Sequence, residues 1–450
     1  MNEYIRKFKQ GTQFVNIVSP VTQNELTDSL ELSDEYLKKD TLKFVPASGA
    51  ATRMFKDLYV YLNEQKETDF IKKFFDELEK FPFYHEIKKA DFDRNRLGDR
   101  IEIINCILKD KLNYGQLPKA LIKMHSYDDF YANPIDEHIY EGEQYLNPDH
   151  IGIHFTISKE HEDLFNDYVK KASQDKDHLD ITYSFQKEET NTLAVDMDNE
   201  PVLTEDNQPL FRPGGHGALL ENLNDLDADI VFIKNIDNVC HRSKVKDTID
   251  SKKKLASIGL KIKKQIDAHI KGILNDQYDL DEVNDFLKNT LNIVYMNELT
   301  RDRALSFLNR PLRVCGMVKN QGEPGGGPFL VNNGDYTDLQ IIEKSEIDLN
   351  QEEYKEIFNQ SQYFNPVDLV CFIKDYKNEK FNLLDYVNNN RYFITEKSYK
   401  GKKIKAIEHP GLWNGAMHDW NSVFVEVPLT TFNPVKTVND LLREGHLGKK

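Results

Sequence analysis

Apolar and polar positions change period several times along the chain, and each change marks a different element. Leu42, Phe44 and Val45 close a short buried strand, the run Ala47-Ser48-Gly49-Ala50-Ala51 is made of small residues, and from Thr52 the spacing of Met54, Phe55, Leu58, Tyr59 and Leu62 is helical. Residues 57 to 130 keep helical spacing, as in Phe70-Ile71-Lys72-Lys73-Phe74-Phe75, and predict an all-helical stretch whose charge runs are solvated faces. From Ile151 the period is two: a strand to Ser158, a helix over Glu160 to Ala172, and a strand over Ile181 to Gln186. Strand, helix and strand joined by short links predict a parallel α/β sheet. His154, inside the first of these strands, reads as a satisfied structural histidine. A central buried strand is predicted from Asp229, helices from 245 to 310 with Lys252, Lys253 and Lys254 on an exposed face, and further strands at Arg313 to Asn320 and Ser422 to Pro428. Residues 1 to 40 are polar and mostly helical in pattern, a lead-in with a candidate cap at Ser33.

Composition narrows the class. A chain of 450 residues with 39% hydrophobic content, 26 Phe and 21 Tyr can bury one large core or two to three domains. A formal net charge of −16 argues against non-specific nucleic-acid binding, but not against a local cationic pocket. No apolar signal region opens the sequence and no apolar run reaches spanning length, so no membrane association is expected. Cys106, Cys240, Cys315 and Cys371 are scattered without CxxC spacing, as buried thiols of a reducing cytoplasm would be.

Candidate chemistry gathers at five places. A strand, a small-residue turn and a helix start form a natural anion site, with free amides and a favourable dipole, and Arg53 and Lys56 add cations where a triphosphate tail would lie. An ordinary turn with surface cations fits the same stretch. Pro213-Gly214-Gly215-His216-Gly217 opens a helix and would let backbone approach a ligand, with a plain turn as the competitor. Asp237-Asn238 follows the central strand at its C-terminal end, where open α/β sheets bind ligands; Asp237 is placed to hold a divalent cation there, or simply closes a turn. Gly325-Gly326-Gly327 is either a hairpin loop or a surface that meets a sugar or phosphate, and Trp413-Asn414 suits sugar faces, although tryptophan more often belongs to a core. No GxxxxGK[ST] and no strand followed by GxGxxG occurs, which argues against a P-loop kinase and a Rossmann dehydrogenase.

The first three of these places and a later stretch, in this order, resemble the UDP-sugar pyrophosphorylases. Val45 to Lys56 is similar to their Gly-Gly-x-Gly-Thr-Arg-Met nucleotide loop, Pro213 to Gly217 to their Pro-Pro-Gly-His-Gly loop, Asn235-Ile236-Asp237-Asn238 to their metal-site segment, and Asn433-Pro434-Val435-Lys436-Thr437 to their late Pro-Val-Lys segment. Alanines 50 and 51 stand where that family has glycine. The whole chain more nearly resembles an uncharacterised bacterial family, domain of unknown function number 4301, through Trp-Asn-Gly-Ala-Met and Gly-Glu-Pro-Gly-Gly-Gly.

The resemblance implies a GT-A-like, mostly parallel sheet flanked by helices, with helical insertions and a C-terminal segment completing the site. It divides the chain into a lead-in (1–40), a nucleotidyltransferase-like α/β domain (41–345) and a C-terminal α+β segment packed on the active site (346–450). The implied reaction joins a nucleoside triphosphate, UTP by family likeness, to a sugar 1-phosphate, giving a nucleotide sugar and pyrophosphate. Mg²⁺ would sit on Asp237; Arg53, Lys56 and Lys436 would serve the phosphates; Ala47 to Thr52, Gln186 and Gly215 to Gly217 would hold the nucleotide; Asn238, Gly325, Gly326, Trp413 and Asn414 would line the sugar side. A GT-A-like glycosyltransferase consuming a nucleotide sugar, or a non-catalytic nucleotide-sugar-binding protein, are the alternatives, and pyrophosphate release separates them from the first reading.

Overall fold

The computed structural model describes residues 1–27, 32–49, 51–89, 91–174, 176–322 and 326–448. In chain order the elements used below are α1 (Asn2–Gln10), β1 (Ile17–Pro20), β2 (Thr41–Pro46), α2 (Lys56–Glu64), α3 (Asp69–Asp76), α4 (Leu97–Asn105), α5 (Pro134–Tyr145), β3 (Ile151–Ile157), α6 (Glu162–Ala172) and β4 (Leu179–Phe185). They continue with β5 (Thr192–Val195), β6 (Ile230–Lys234), α7 (Lys246–Leu274), β7 (Leu312–Lys319), β8 (Gly327–Asn332), β9 (Tyr336–Ile342), β10 (Asp368–Phe372), β11 (Phe393–Tyr399), β12 (Lys402–Glu408) and β13 (Asn421–Glu426). The chain folds as two compact units, each discontinuous in sequence. The first is Met1–Thr41, Gln186–Ile233 and Lys252–Pro428; the second is Leu42–Phe185, Lys234–Ser251 and Leu429–Lys450. The first of these boundaries lies one residue from position 40, but none falls at 345: residues 346–428 stay with the first unit, whereas 429–448 pack with the 42–185 segment.

In the second unit β2, β3 and β4 run parallel, with Phe44 opposite His154 and Ile153 opposite Ile181. β3 is buried along its whole length, as a parallel strand covered on both faces must be. The helices beside it are built by short-range rules. Thr68 caps α3 by accepting from the Ile71 amide at 3.3 Å, and Ile71, Phe74 and Phe75, three and four apart, all face inward. Asn133 and Asp136 form a reciprocal capping box on α5, with Pro134 at its first position. Met54, Phe55, Leu58, Phe74, Phe83, Ile104 and Val438 share one apolar cluster in which each is fully buried. A fully buried side chain of this size contributes about 1.5–3 kcal/mol.

In the first unit β7 pairs antiparallel with β10 and parallel with β13, placing Val314 beside both Val370 and Val423. β1, β8 and β9 form an antiparallel sheet, and so do β11, β12 and β5. α1 closes the unit by packing Phe8 with Leu193, Val195, Tyr392 and Ile407, while the Tyr392 hydroxyl donates to the Lys7 and Gly11 carbonyls. The architecture is thus mixed α/β, with parallel pairing along β2–β3–β4 and between β7 and β13.

Several expectations need correction. The lead-in is not mostly helical: Ile17 begins strand β1, and the buried positions Val15, Ile17 and Val21 keep a two-residue period. The helix expected from Thr52 starts at Lys56, because Ala51–Arg53 form a 3-10 turn that drives Met54 and Phe55 into the core. Lys252 is fully buried rather than exposed; its ammonium donates to the Ile233 carbonyl at 3.1 Å and pairs with Asp368. His154 is satisfied as expected, with Thr182 and Ser184 hydroxyls each 2.8 Å from its two ring nitrogens.

Candidate functional site

The second unit brings four segments to the end of β2. The Ala47 amide donates to the Thr156 carbonyl at 2.9 Å, and the Ser158 hydroxyl donates to the Ser48 carbonyl at 3.1 Å, so β3 fixes the start of the small-residue loop. The far side of that loop is held by Ala51 N to Leu117 O (3.2 Å) and Lys119 N to Gly49 O (3.2 Å). Ile236 N reaches Pro46 O at 3.3 Å, and Val435 N reaches Asp237 O at 2.9 Å. Val438 N reaches Met54 O at 3.0 Å, and Asn433 N donates to Asn238 Oδ1 at 2.8 Å. Residues 46–54, 117–119, 235–238 and 433–438 are therefore one assembly. The amides of Ser48 and Gly49 donate to no protein group among the described residues.

At its centre lies Asp237, 7% exposed, whose Oδ2 accepts from Lys119 Nζ at 2.9 Å and from Lys436 Nζ at 3.0 Å. Burial alone would raise the Asp237 pKa, but the two lysine charges outweigh it and hold the carboxyl below the usual range. The lysines differ. Lys119 is buried and also donates to the Val435 carbonyl at 2.8 Å, whereas the Lys436 side chain is 62% exposed. Asp440 stiffens the approach of Lys436 by accepting from the Lys436 and Thr437 amides at 2.8 and 2.6 Å. Thr52, Arg53 and Lys56 are exposed around the loop.

Beneath this assembly, α5 carries a second charged layer. Glu141, 1% exposed, accepts from Lys43 at 3.0 Å and from Lys234 at 2.7 Å. Desolvation pushes its pKa up, but the Lys234 and Lys43 charges prevail and keep it well below the carboxylate range. Lys234 is the residue from which the 235–238 turn springs, so this pair fixes the base of the Asp237 loop.

Sequence reasoning missed Lys119 and the α5 carboxylates. A signal for Lys119 exists: it is a single charge between Leu117-Pro118 and Ala120-Leu121-Ile122, and a lone cation in an apolar run is usually spoken for. Ala51 carries less consequence than its substitution for glycine suggests. Gly49 itself does not adopt a positive φ, a side chain there would meet open space, and Ala51 points its methyl into the core. Ala50 lies outside the described residues. Asn238 is buried, and its side-chain Oδ1 accepts from the Asn433 amide, so it braces the C-terminal segment.

The remaining sequence-predicted residues belong to the first unit. Gly215 adopts φ +77°, and a side chain on Gly217 would lie 2.0 Å from the Pro410 carbonyl oxygen, so both positions require glycine. His216 accepts at Nδ1 from the Leu412 amide (3.1 Å) and stacks on Trp413 with centroids 4.7 Å apart. Glu343 lies 3.9 Å from His216; burial, reinforced by Glu346, pushes it up to about 7. Asn414 is fully buried and donates to Glu346 at 3.0 Å, so its side chain supports the Trp413 loop from below and is not available on the surface. Gln186 donates to the Thr190 hydroxyl at 3.3 Å, and the Gly326 carbonyl accepts from the Asn365 amide at 2.8 Å. Gly325 lies outside the described residues.

Among the described residues no helix is long and apolar enough to cross a membrane, and no three His, Cys, Asp or Glu side chains group to hold a metal ion. All four cysteines are free thiols.

The fold has solved counterparts. The chain aligns over 98% of its length with a variant of the UDP-glucose pyrophosphorylase of Leishmania major in complex with UDP-glucose, covering 73% of that chain at 13% identity and a TM-score of 0.51. A second variant of that enzyme, also with UDP-glucose, gives 14% identity and a TM-score of 0.50 over 98% of this chain and 73% of the other. At such identity the likeness is one of fold. No curated protein matches the sequence. A family model does, across residues 1–447, and the chain therefore belongs to the family described as domain of unknown function DUF4301.

Proposed function

We propose that this protein is a nucleotidyltransferase of the UDP-sugar pyrophosphorylase kind, joining a nucleoside triphosphate, UTP by likeness, to a sugar 1-phosphate. The observation that carries this reading is the convergence of Asp237, Lys119 and Lys436 with the open Ser48 and Gly49 amides at the end of β2. In a chain of net charge −16, a place with two ammonium groups on one carboxylate oxygen and Arg53 and Lys56 exposed nearby favours a polyanion. The UDP-glucose pyrophosphorylase fold at this coverage supports the same class, and with it a GT-A-like organisation of the sheet.

In the proposed reaction an oxygen of the sugar phosphate forms a bond to the α-phosphorus, the α–β phosphoanhydride bond breaks, and pyrophosphate leaves with the electron pair. The nucleophile is already an anion, so no general base is required. The protein's work is alignment and neutralisation of charge. The Ser48 and Gly49 amides, with Arg53 and Lys56, would hold the β- and γ-phosphates. Lys436, on its exposed stem, would leave Asp237 for the phosphates being joined, while Lys119 stays anchored by the Val435 carbonyl. One buried carboxylate suits Mg²⁺, which commonly takes one or two carboxylates and completes its shell with water and phosphate oxygens. Asp237 would supply that ligand, and the ion would neutralise phosphate charge.

The test is pyrophosphate release from UTP and glucose 1-phosphate with Mg²⁺, in wild type and Lys436→Ala. Release that depends on both substrates and collapses in the variant supports the reading. A nucleotide sugar bound or consumed without pyrophosphate release would favour a glycosyltransferase or a binding protein.

A further inference from the structure

The C-terminal segment that carries Lys436 is fastened at its far end by a buried chain of side chains unrelated to phosphate chemistry. His446 is 3% exposed, and its Nδ1 lies 3.0 Å from Nε2 of His125, which is fully buried. Nδ1 of His125 lies 2.8 Å from Glu137 Oε1. The same carboxylate oxygen accepts from the Tyr127 hydroxyl at 2.7 Å, and Oε2 accepts from Arg242 Nε at 3.0 Å. Glu137 is one helical turn before Glu141 on α5, so one buried face of this helix ties down both the base of the Asp237 loop and the tail. Backbone contact adds a second tie, from the His241 amide to the Gly445 carbonyl at 2.8 Å.

The hydrogen count in this chain is fixed. Glu137 is held ionised: burial would raise its pKa, but the hydrogen bond and charge of His125, with Arg242, bring it below the usual range. It therefore accepts from Nδ1–H of His125. The 3.0 Å gap between the two rings then has room for one hydrogen, given by His446 to a neutral His125 or by a charged His125 to His446. If both rings are charged, two N–H groups meet head-on in a buried space.

We propose that Glu137, His125 and His446 form a positioning relay that docks the C-terminal segment, and with it Lys436, onto Asp237, and that a second proton on the two rings undocks it. The other groups facing the rings cannot absorb that proton's charge. Around His446 they are His125 and Arg443, and around His125 they are Glu137, already engaged by Arg242, and the neutral ring of His241 with centroids 5.9 Å away. Burial, then the His125 and Arg443 charges, push His446 from 6.5 down to about 3. The docked state thus binds fewer protons than the released one. Docking is complete above about pH 6.5 and weakens up to roughly tenfold per pH unit below it. The consequence for turnover rests on the nucleotidyltransferase reading; the docking does not.

Hydrogen exchange of the full chain, corrected for intrinsic rates and followed from pH 8 to 5.5, tests this. In wild type the amides of 433–446 should lose protection below pH 6.5 while those of β3 keep theirs. His446→Asn supplies an amide that can give or accept toward His125 without titrating, and should flatten the profile. A flat wild-type profile, parallel loss in β3, or a His446→Asn profile as steep as wild type would overturn the proposal, and the wild-type profile decides alone if the variant does not fold. Pyrophosphate release at pH 7.5, where the tail is docked, is read separately: its absence overturns the functional reading and leaves the relay standing.

Discussion

Two lysines bind the same oxygen of Asp237 at nearly the same distance, 2.9 and 3.0 Å, yet their removal should have different consequences. Lys119 is buried, with its side chain 10% exposed, and so is that of Asp237. Breaking a buried pair leaves an uncompensated charge and costs about 3–5 kcal/mol. Lys436 remains on the carboxylate and offsets part of this, so Lys119→Met should lose at least about 2 kcal/mol. The Lys436 pair is screened, since that side chain is 62% exposed, and Lys436→Ala should lose about 0–1 kcal/mol. The assay is urea denaturation followed by far-UV circular dichroism, because both tryptophans belong to the first unit and would not report on this one. Asp237, held below 3.8, stabilises the protein above that pH and loses the contribution as pH falls, so the difference between variants should be measured at pH 7. Activity should run the other way: Lys436→Ala should depress kcat/KM by about two orders of magnitude, or about 3 kcal/mol of transition-state stabilisation, with the fold nearly intact. Equal destabilisation by the two substitutions, or a larger loss for Lys436→Ala, would refute the argument from burial.

Gly217→Ala should be severely destabilising, since its methyl would lie 2.0 Å from a backbone oxygen that cannot swing away, whereas Gly49→Ala should leave Tm within about a degree or two because nothing lies within 4 Å. Glu343 has its pKa raised from 4.5 to about 7, so its folded form costs stability progressively as pH rises through that interval; Glu343→Gln should raise Tm at pH 8 and change it little at pH 4.5. Cys240, Cys315 and Cys371 are buried with their thiols pushed far up by desolvation, so an aromatic disulfide reagent should titrate at most Cys106 in the native protein and all four cysteines in urea.

Much of this was legible in local chemistry. Extended apolar patterns for β2, β3 and β4, helical spacing for α6 and the short connections between them made this α/β stretch legible. The strand–small loop–helix order at 44–62 placed the loop, and the isolated Asp237 after an apolar strand placed a carboxylate at a strand end. Locally the sequence could not say that Ala51–Arg53 would wind as a 3-10 turn, because that depends on two side chains, Met54 and Phe55, finding the core at once.

What the sequence by itself determined is the set of elements and the residue types able to meet a polyanion, because periodicity, capping and side-chain chemistry act over a few residues. Only the tertiary structure decided that Lys119 and Lys436, 118 and 199 positions away from Asp237 in sequence, share one of its oxygens. Only it decided that Lys252, Glu137 and Glu141 are buried instead of solvated. The physical reason is that a charge in an amphipathic pattern has the same local signature whether it faces water or a buried partner, and its partner is chosen by the packing of distant segments.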